Sequence, residues 1–115
     1  TGESYNIGGN NQPTNLEIVD MLCQLVDELE PQSPHKPHRN LRQFVADRPG
    51  HDRRYAMNIT KIQRHLGWVP RYDLPQGLRK TVEWYLSNRQ WLTTIRQQQQ
   101  YNDWVSKNYA KRGEK

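Results

Sequence analysis

The chain has 115 residues, of which 33% are hydrophobic, and its 17 basic and 12 acidic residues give a net charge of +5 at pH 7. This length predicts one domain with a modest core, and the surplus of positive charge favours an anionic partner without identifying it. The single cysteine excludes an internal disulfide, and no apolar run approaches the ~18 residues of a membrane-spanning helix, so we expect a reducing, cytoplasmic location and no membrane partner.

The first predicted elements are a strand followed by a helix. Residues 4–7 alternate polar and bulky side chains and end at a Gly-Gly pair, which is typical of a short strand entering a turn. Thr14 and Glu17 have the spacing of a capping box, and apolar residues recur every three or four positions from there to Glu30. We therefore predict a helix over this run, ended by the next proline, with Cys23 buried on its apolar face.

A proline-punctuated loop follows and contains two histidines. His35 and His38 have a spacing found in metal sites, but no cysteine or further histidine is close enough in sequence to complete one, so no metal is expected. Beyond this loop, residues 43–46 are predicted to form a strand that leads into the next loop. Residues 53–57 are predicted to form another.

The second half of the chain has the signals of further helices. A short helix is predicted to begin at Asn58 or Thr60 and to end at Gly67. A second capping signal at Asp73 opens a helix that we expect to continue to about Arg89.

The end of the chain is polar. Four glutamines at 97–100 are followed by aromatic residues whose spacing predicts a last amphipathic turn or two before Tyr109. Residues 110–115 are mostly charged, and we predict a disordered tail there.

The segment from residue 47 to residue 55 has the strongest functional signal. It places three arginines, a histidine and two carboxylates around a Pro-Gly turn. Pro49 fixes its own φ and Gly50 permits a conformation closed to other residues, so the turn can hold Arg48 and His51 in a defined relation. A guanidinium presents a planar fork of donors that matches phosphate oxygens. The loop is therefore predicted to meet an anion, with a solvated basic turn as the alternative.

Several separated motifs carry a resemblance to a known family. They are ESYNIGG at 3–9, ADRPGHDRRYA at 46–56, LGWVP at 66–70 and RKTVEWYL at 79–86. In this order they resemble the C-terminal part of nucleotide-sugar enzymes in the extended short-chain dehydrogenase/reductase family. Within that family the likeness is to the 4,6-dehydratases that act on dTDP-glucose, and a fragment of a related epimerase is the alternative.

The resemblance implies an α/β fold. Residues 1–109 would form a small C-terminal, nucleotide-sugar-binding lobe with short strands and three or more helices. This lobe would be detached from a dinucleotide-binding Rossmann domain that precedes Thr1.

The resemblance also implies a set of substrate-binding residues. Contacts to the pyrophosphate and the adjoining sugar are expected from Asn15, Asp47, Arg48, Pro49, Gly50 and His51. Asn15 would open a helix, where free N–H groups and the helix dipole favour an anion, and helix capping is its alternative role. No catalytic residue is expected in this chain.

The resemblance further implies the chemistry of the intact enzyme. A tightly bound NAD takes a hydride from sugar C4, water is lost across C5 and C6, and the hydride returns at C6 to give dTDP-4-keto-6-deoxyglucose. The family's Gly-rich dinucleotide turn and its Tyr-x-x-x-Lys pair do not occur in this sequence. We therefore expect the chain to bind no cofactor and to be inactive alone, while the intact family protein is expected to be a homodimer.

Two alternatives outside the family remain open. A small basic RNA- or DNA-binding module would use Arg48, Arg53, Arg54 and the tryptophans. Against it, the basic residues are scattered and the apolar residues follow the periodicity of a core. The second alternative is a purely structural role in dimer packing.

Overall fold

Five α-helices and one 3₁₀ turn make up the regular structure of the described chain. This computed structural model describes residues 2–45 and 50–109, and residue 109 is described by its backbone alone. Residues 46–49 and the tail predicted at 110–115 lie outside the described residues. The elements in order are α1 (Asn15–Leu29), the 3₁₀ turn His38–Leu41, α2 (Thr60–Leu66), α3 (Leu74–Ser87), α4 (Arg89–Gln97) and α5 (Gln99–Tyr109).

Capping side chains fix the ends of the helices, and these predictions are confirmed. The Thr14 hydroxyl accepts from the Glu17 backbone N–H, and the Glu17 carboxylate accepts from the Thr14 N–H at 2.6 Å, which completes the capping box of α1. Asp73 caps α3 by accepting from the Gln76 N–H at 2.8 Å. Gly67 ends α2 at φ +63°, the left-handed conformation that glycine adopts without strain.

The helix predicted to reach Arg89 ends instead at Ser87. The Asn88 side chain donates to the Trp84 carbonyl at 2.7 Å, and its backbone N–H donates to the same carbonyl at 3.0 Å. The bond from the backbone N–H is the last i→i−4 bond of α3, and the Asn88 backbone, at φ −115° and ψ 41°, then leaves the helical conformation, so α3 stops there and α4 begins on the next residue. Across this joint Trp84 packs edge-to-face on Trp91, with 5.3 Å between ring centroids.

The predicted strands do not form within the described residues. Residues 4–7, 43–45 and 53–57 have no ladder of hydrogen bonds, and the β-type contact in the described chain is an isolated antiparallel bridge between Thr14 and Arg54. Alternating polarity predicts which side of a strand is apolar, but a strand also needs a neighbour for its backbone N–H and C=O groups. The described chain is therefore a small helical lobe, and the α/β prediction is corrected on this point.

The core of the described chain is thin. Its buried hydrophobic residues are Ile59, Ile62 and Val82, which are 3%, 5% and 7% exposed, while Phe44 is 88% exposed. Cys23, predicted to be buried, is half-buried. Helix α1 packs against α3 and against the 3₁₀ turn, so it is the central element of the lobe. Among the described residues, no helix has both the length and the apolar character needed to cross a bilayer.

Candidate functional site

The structure describes three of the six residues predicted to contact a ligand. Asn15 is the first residue of α1, and Gly50 and His51 are exposed residues that precede the bridge to Arg54. Asp47, Arg48 and Pro49 lie outside the described residues, so their predicted role stays a prediction.

Asn15 lies against the segment that follows the Pro-Gly turn. Its Nδ2 donates to the Asp52 carbonyl oxygen at 3.4 Å, and the neighbouring Thr14 forms the bridge with Arg54. The start of α1 and the end of the basic loop are therefore brought together, although they are 37 residues apart in sequence. Capping of α1, the alternative role considered for Asn15, belongs to Thr14.

Position 50 requires a glycine because of its backbone conformation and not because neighbouring atoms leave no room for a side chain. Its φ is +73°, and no heavy atom lies within 4 Å of the position that a Cβ would occupy. Another residue at this position would therefore be strained although there is room for its side chain. The predicted role of Gly50 as a turn residue is confirmed by this φ, while its contact with a ligand stays a prediction.

A carboxylate already occupies part of the α1 N-terminus. The backbone N–H and the hydroxyl of Thr14 donate to Glu17 Oε2 at 2.6 and 2.8 Å. These bonds, together with the charge of Arg54, hold the pKa of Glu17 below its ordinary value of 4.5. Glu17 is thus ionised at neutral pH, and an anion beside Asn15 would be attracted mainly by the basic side chains and less by the helix end.

A groove of about 530 Å³ opens beside Asn15, between the start of α1 and the start of α3. Two tyrosines, Tyr55 and Tyr72, line it and are 63% and 46% exposed. Amide and carboxylate groups from Asn11, Asn15 and Asp73 line it as well. Aromatic rings beside a few polar groups are typical of sites for small polar ligands. Sequence analysis missed this groove because its lining comes from three separate segments, and the available signal was the tyrosine at the end of the basic segment.

His38, considered above as half of a metal pair, binds Asp27 and Ser33 instead. Its backbone N–H donates to Asp27 Oδ1 at 3.0 Å, its Nδ1 contacts the same oxygen, and its Nε2 lies 3.0 Å from Ser33 Oγ. The hydrogen bonds from His38 lower the pKa of Asp27. Within the described residues no three His, Cys, Asp or Glu side chains are grouped so that they could hold a metal. The network of His38 therefore attaches the 3₁₀ turn to α1.

Comparison with known protein sequences relates the chain to nucleotide-sugar dehydratases. A sequence model described as GDP-mannose 4,6 dehydratase matches residues 1–81. The dTDP-glucose 4,6-dehydratase 1 of Escherichia coli K12 is 48% identical over 111 residues, which cover 96% of this chain and 30% of that protein. The dTDP-glucose 4,6-dehydratase of Neisseria gonorrhoeae is 54% identical over 90 residues, covering 76% of this chain and 26% of that protein.

A solved structure gives the same relation. The crystal structure of dTDP-glucose 4,6-dehydratase from Bacillus anthracis in complex with NAD matches with a TM-score of 0.56 and 40% sequence identity, over 76% of this chain and 24% of that one. The present chain spans about 30% of the length of the curated relatives it matches. The likeness therefore concerns less than a third of each relative.

Proposed function

This chain belongs to the GDP-mannose 4,6-dehydratase family, and we propose that it is the substrate-binding lobe of a dTDP-glucose 4,6-dehydratase. In this proposal the intact enzyme converts dTDP-glucose to dTDP-4-keto-6-deoxyglucose. The lobe contacts the pyrophosphate and the adjoining sugar. The residues proposed for these contacts are Asn15, Asp47, Arg48, Pro49, Gly50 and His51.

The observation that carries the proposal is the contact of Asn15 with the segment that leaves the turn. Asn15 and Asp52 meet through a hydrogen bond of 3.4 Å, so a ligand at Gly50 and His51 would also be near the Asn15 amide. A side-chain amide has two N–H donors, and a single bond to the Asp52 carbonyl leaves the other for a ligand oxygen. The amide and the turn can thus act on one anion.

The charges of the region support a diphosphate ligand. Residues 47–54 contain three arginines and a histidine against two aspartates. Because the ionised Glu17 offsets the helix dipole, the arginines supply most of the attraction for a phosphate group. Binding should therefore depend on the diphosphate much more than on the uncharged parts of the ligand, and it should weaken with salt.

We further propose that other parts of the intact enzyme perform the hydride and proton transfers. This sequence has no Gly-rich dinucleotide turn and no Tyr-x-x-x-Lys pair, and the relative from Bacillus anthracis was crystallised with NAD. The lobe would contribute by positioning, because its binding energy holds the nucleotide-sugar in place while the cofactor supplies the chemistry. A homodimer is the proposed form of the intact enzyme.

The proposal is tested on the purified 115-residue chain. We expect no NAD binding and no 4-keto-6-deoxy product from dTDP-glucose. Titration with dTDP should give millimolar affinity, or about 4 kcal/mol, with backbone amide shifts concentrated at Asn15 and at residues 50–52. Thymidine, which lacks the diphosphate, is the matched control and should give no concentrated response.

Two results would contradict the proposal. Turnover of dTDP-glucose by the chain, free of contaminating enzyme, would refute the division of roles. Tight binding of single-stranded RNA that falls steeply with salt, without a concentrated response to dTDP, would establish the nucleic-acid alternative.

A further inference from the structure

The loop between α1 and the 3₁₀ turn brings a serine, a histidine and an aspartate into one chain of hydrogen bonds. His38 Nδ1 lies 2.5 Å from Asp27 Oδ1, and His38 Nε2 lies 3.0 Å from Ser33 Oγ. The order of the contacts is therefore carboxylate, imidazole and hydroxyl. A nucleophilic serine is recognised on unrelated folds by this order and by contacts of this length.

Asp27 determines which nitrogen of His38 carries the proton. The hydrogen bonds from His38 lower the pKa of Asp27, so its carboxylate is ionised at neutral pH and can only accept hydrogen bonds. The proton of a neutral His38 is therefore on Nδ1, and the lone pair of Nε2 faces the Ser33 hydroxyl. An imidazole in this tautomer can take the hydroxyl proton as a general base.

The Ser33 side chain is oriented by its own loop and can be reached from solvent. The backbone N–H of His35 donates to Ser33 Oγ at 3.3 Å, which occupies one lone pair of the oxygen and leaves the other for attack. The Ser33 N–H donates to the Glu30 carbonyl at 3.0 Å and holds the backbone. Ser33 is half-buried, and its neighbours on both sides are exposed, so a small molecule can approach it.

The same loop limits the esters that can react. In α/β-hydrolases the backbone N–H of the residue after the nucleophile binds the oxyanion, but the residue after Ser33 is Pro34, which has no N–H. The N–H groups of Ser33 and His35 are already bonded within the loop. Charge on the carbonyl oxygen would therefore be poorly stabilised, so only an ester with a good leaving group should react.

We propose that Ser33 is a nucleophile for activated esters of small carboxylic acids, with His38 as its general base and Asp27 as the residue that positions the imidazole. Ser33 Oγ bonds to the carbonyl carbon, its proton passes to His38 Nε2, and the bond to the leaving oxygen breaks as that oxygen takes the proton. Water then attacks the acyl group with the help of the same base, and the acid leaves as Ser33 regains its proton. This reaction goes beyond the nucleotide-sugar function proposed above and does not rest on it.

The test is acetylation of the 115-residue chain by p-nitrophenyl acetate, measured by peptide mapping that counts the acetyl group on each serine. Ser33 should be acetylated at least about 100-fold faster than Ser87, an exposed serine at the end of α3, because a positioned general base contributes about 10²–10⁴-fold. His38→Asn should remove this advantage, since an amide can donate to Asp27 but is not a base. Asp27→Asn should slow acetylation of Ser33 by about three- to tenfold, because a neutral partner leaves the imidazole less basic.

Controls in the same loop separate the chemistry from the folding of the loop. His35→Asn removes an exposed imidazole but keeps the backbone N–H that donates to Ser33, so the rate should stay within about twofold of the unmodified chain. His38→Asn keeps the backbone N–H bond to Asp27 at 3.0 Å, so the amide signals of the 3₁₀ turn should stay in place. If they move, Asp27→Asn decides, because its Oδ1 can still accept both bonds from His38.

Several results would overturn the proposal. Acetylation of Ser33 no faster than that of Ser87, or equally fast in His38→Asn, would refute the general base. An unchanged rate in Asp27→Asn, or imidazole nitrogen shifts that place the proton of neutral His38 on Nε2, would refute positioning by Asp27. Equal release of p-nitrophenolate from Ser33→Ala and the unmodified chain would exclude Ser33 as the nucleophile, and an acetyl group that persists on Ser33 would refute the hydrolytic step.

Discussion

Asn15→Asp replaces an amide by a carboxylate at the first residue of α1 and should affect stability and binding very differently. The substitution removes the 3.4 Å bond to the Asp52 carbonyl, a loss of at most about 0.5–1.5 kcal/mol. It also adds a negative charge near a helix N-terminus, which stabilises by about 0.3–1 kcal/mol. The two effects oppose each other, so the free energy of unfolding should change by less than about 1 kcal/mol.

Asn15→Asp has two effects on dTDP binding, and because both weaken it they add. Loss of an N–H donor to a charged phosphate costs about 1.5–3 kcal/mol. Repulsion between the new carboxylate and a phosphate charge at ~4 Å in water adds about 1 kcal/mol. The affinity should therefore fall by roughly two to three orders of magnitude, which abolishes measurable binding from a millimolar starting point.

The free energy of unfolding and the dTDP affinity can both be measured on the unmodified chain and on Asn15→Asp. Urea unfolding followed by far-UV circular dichroism gives the stability, and amide shifts during a dTDP titration give the affinity. Asn15→Ala, which removes the donor without adding a charge, is the control and should lie between the unmodified chain and Asn15→Asp in affinity. Equal dTDP affinity for Asn15→Asp and the unmodified chain would show that Asn15 does not contact the diphosphate.

Two further predictions concern stability. The hydrogen bonds from Thr14 and the charge of Arg54 lower the pKa of Glu17 in the folded chain below 4.5, so its stabilising contribution is complete above that pH and is lost as the pH falls through the lowered value. Glu17→Gln should accordingly make the decline in urea stability below about pH 4.5 shallower, and an unchanged decline would exclude this role for Glu17. Ile62→Ala should lower the free energy of unfolding by about 2–5 kcal/mol, against less than about 0.5 kcal/mol for Leu66→Ala on the same helix. These two residues are 5% and 61% exposed, so similar losses in both variants would contradict the assignment of Ile62 to the core.

Local signals predicted the starts of α1 and α3 and the end of α2, because the physical cause lies within a few residues, whereas α4 was not predicted. The caps at Thr14 and Asp73 and the stop at Gly67 depend on bonds and a φ angle inside one turn of chain. The break at Asn88 was missed because apolar periodicity continues across it, and the sequence does not show that the Asn88 backbone leaves the helical conformation. The predicted strands are not found within the described residues for the opposite reason, since pairing depends on a neighbouring strand that alternating polarity does not specify.

Residues of the candidate site could be named from the sequence, but the contacts that bring them together could not be predicted. The basic turn and Asn15 could each be named from the sequence, but their contact spans 37 positions. The ion pair between Asp20 on α1 and Arg42 also gave no signal, because an aspartate on a helix face and an arginine in a loop are ordinary surface residues. The spacing of His35 and His38 led to no metal prediction, but the partner of His38, Asp27 on α1, is eleven residues away and had no signal in the sequence.

The central position of α1 also makes the charge of the lobe uneven. Of the net charge of +5, α1 contributes −4, because it has four carboxylates and no lysine or arginine, so the rest of the chain carries +9. Several of these carboxylates are paired with basic side chains of other segments. Pairing cancels charge of both signs, so the unpaired positive charge that an approaching dianion meets lies outside α1. The association rate of the dianion should be raised by electrostatic steering and should fall as salt is added, and most of this dependence should lie in the rate of encounter and not in the rate of release.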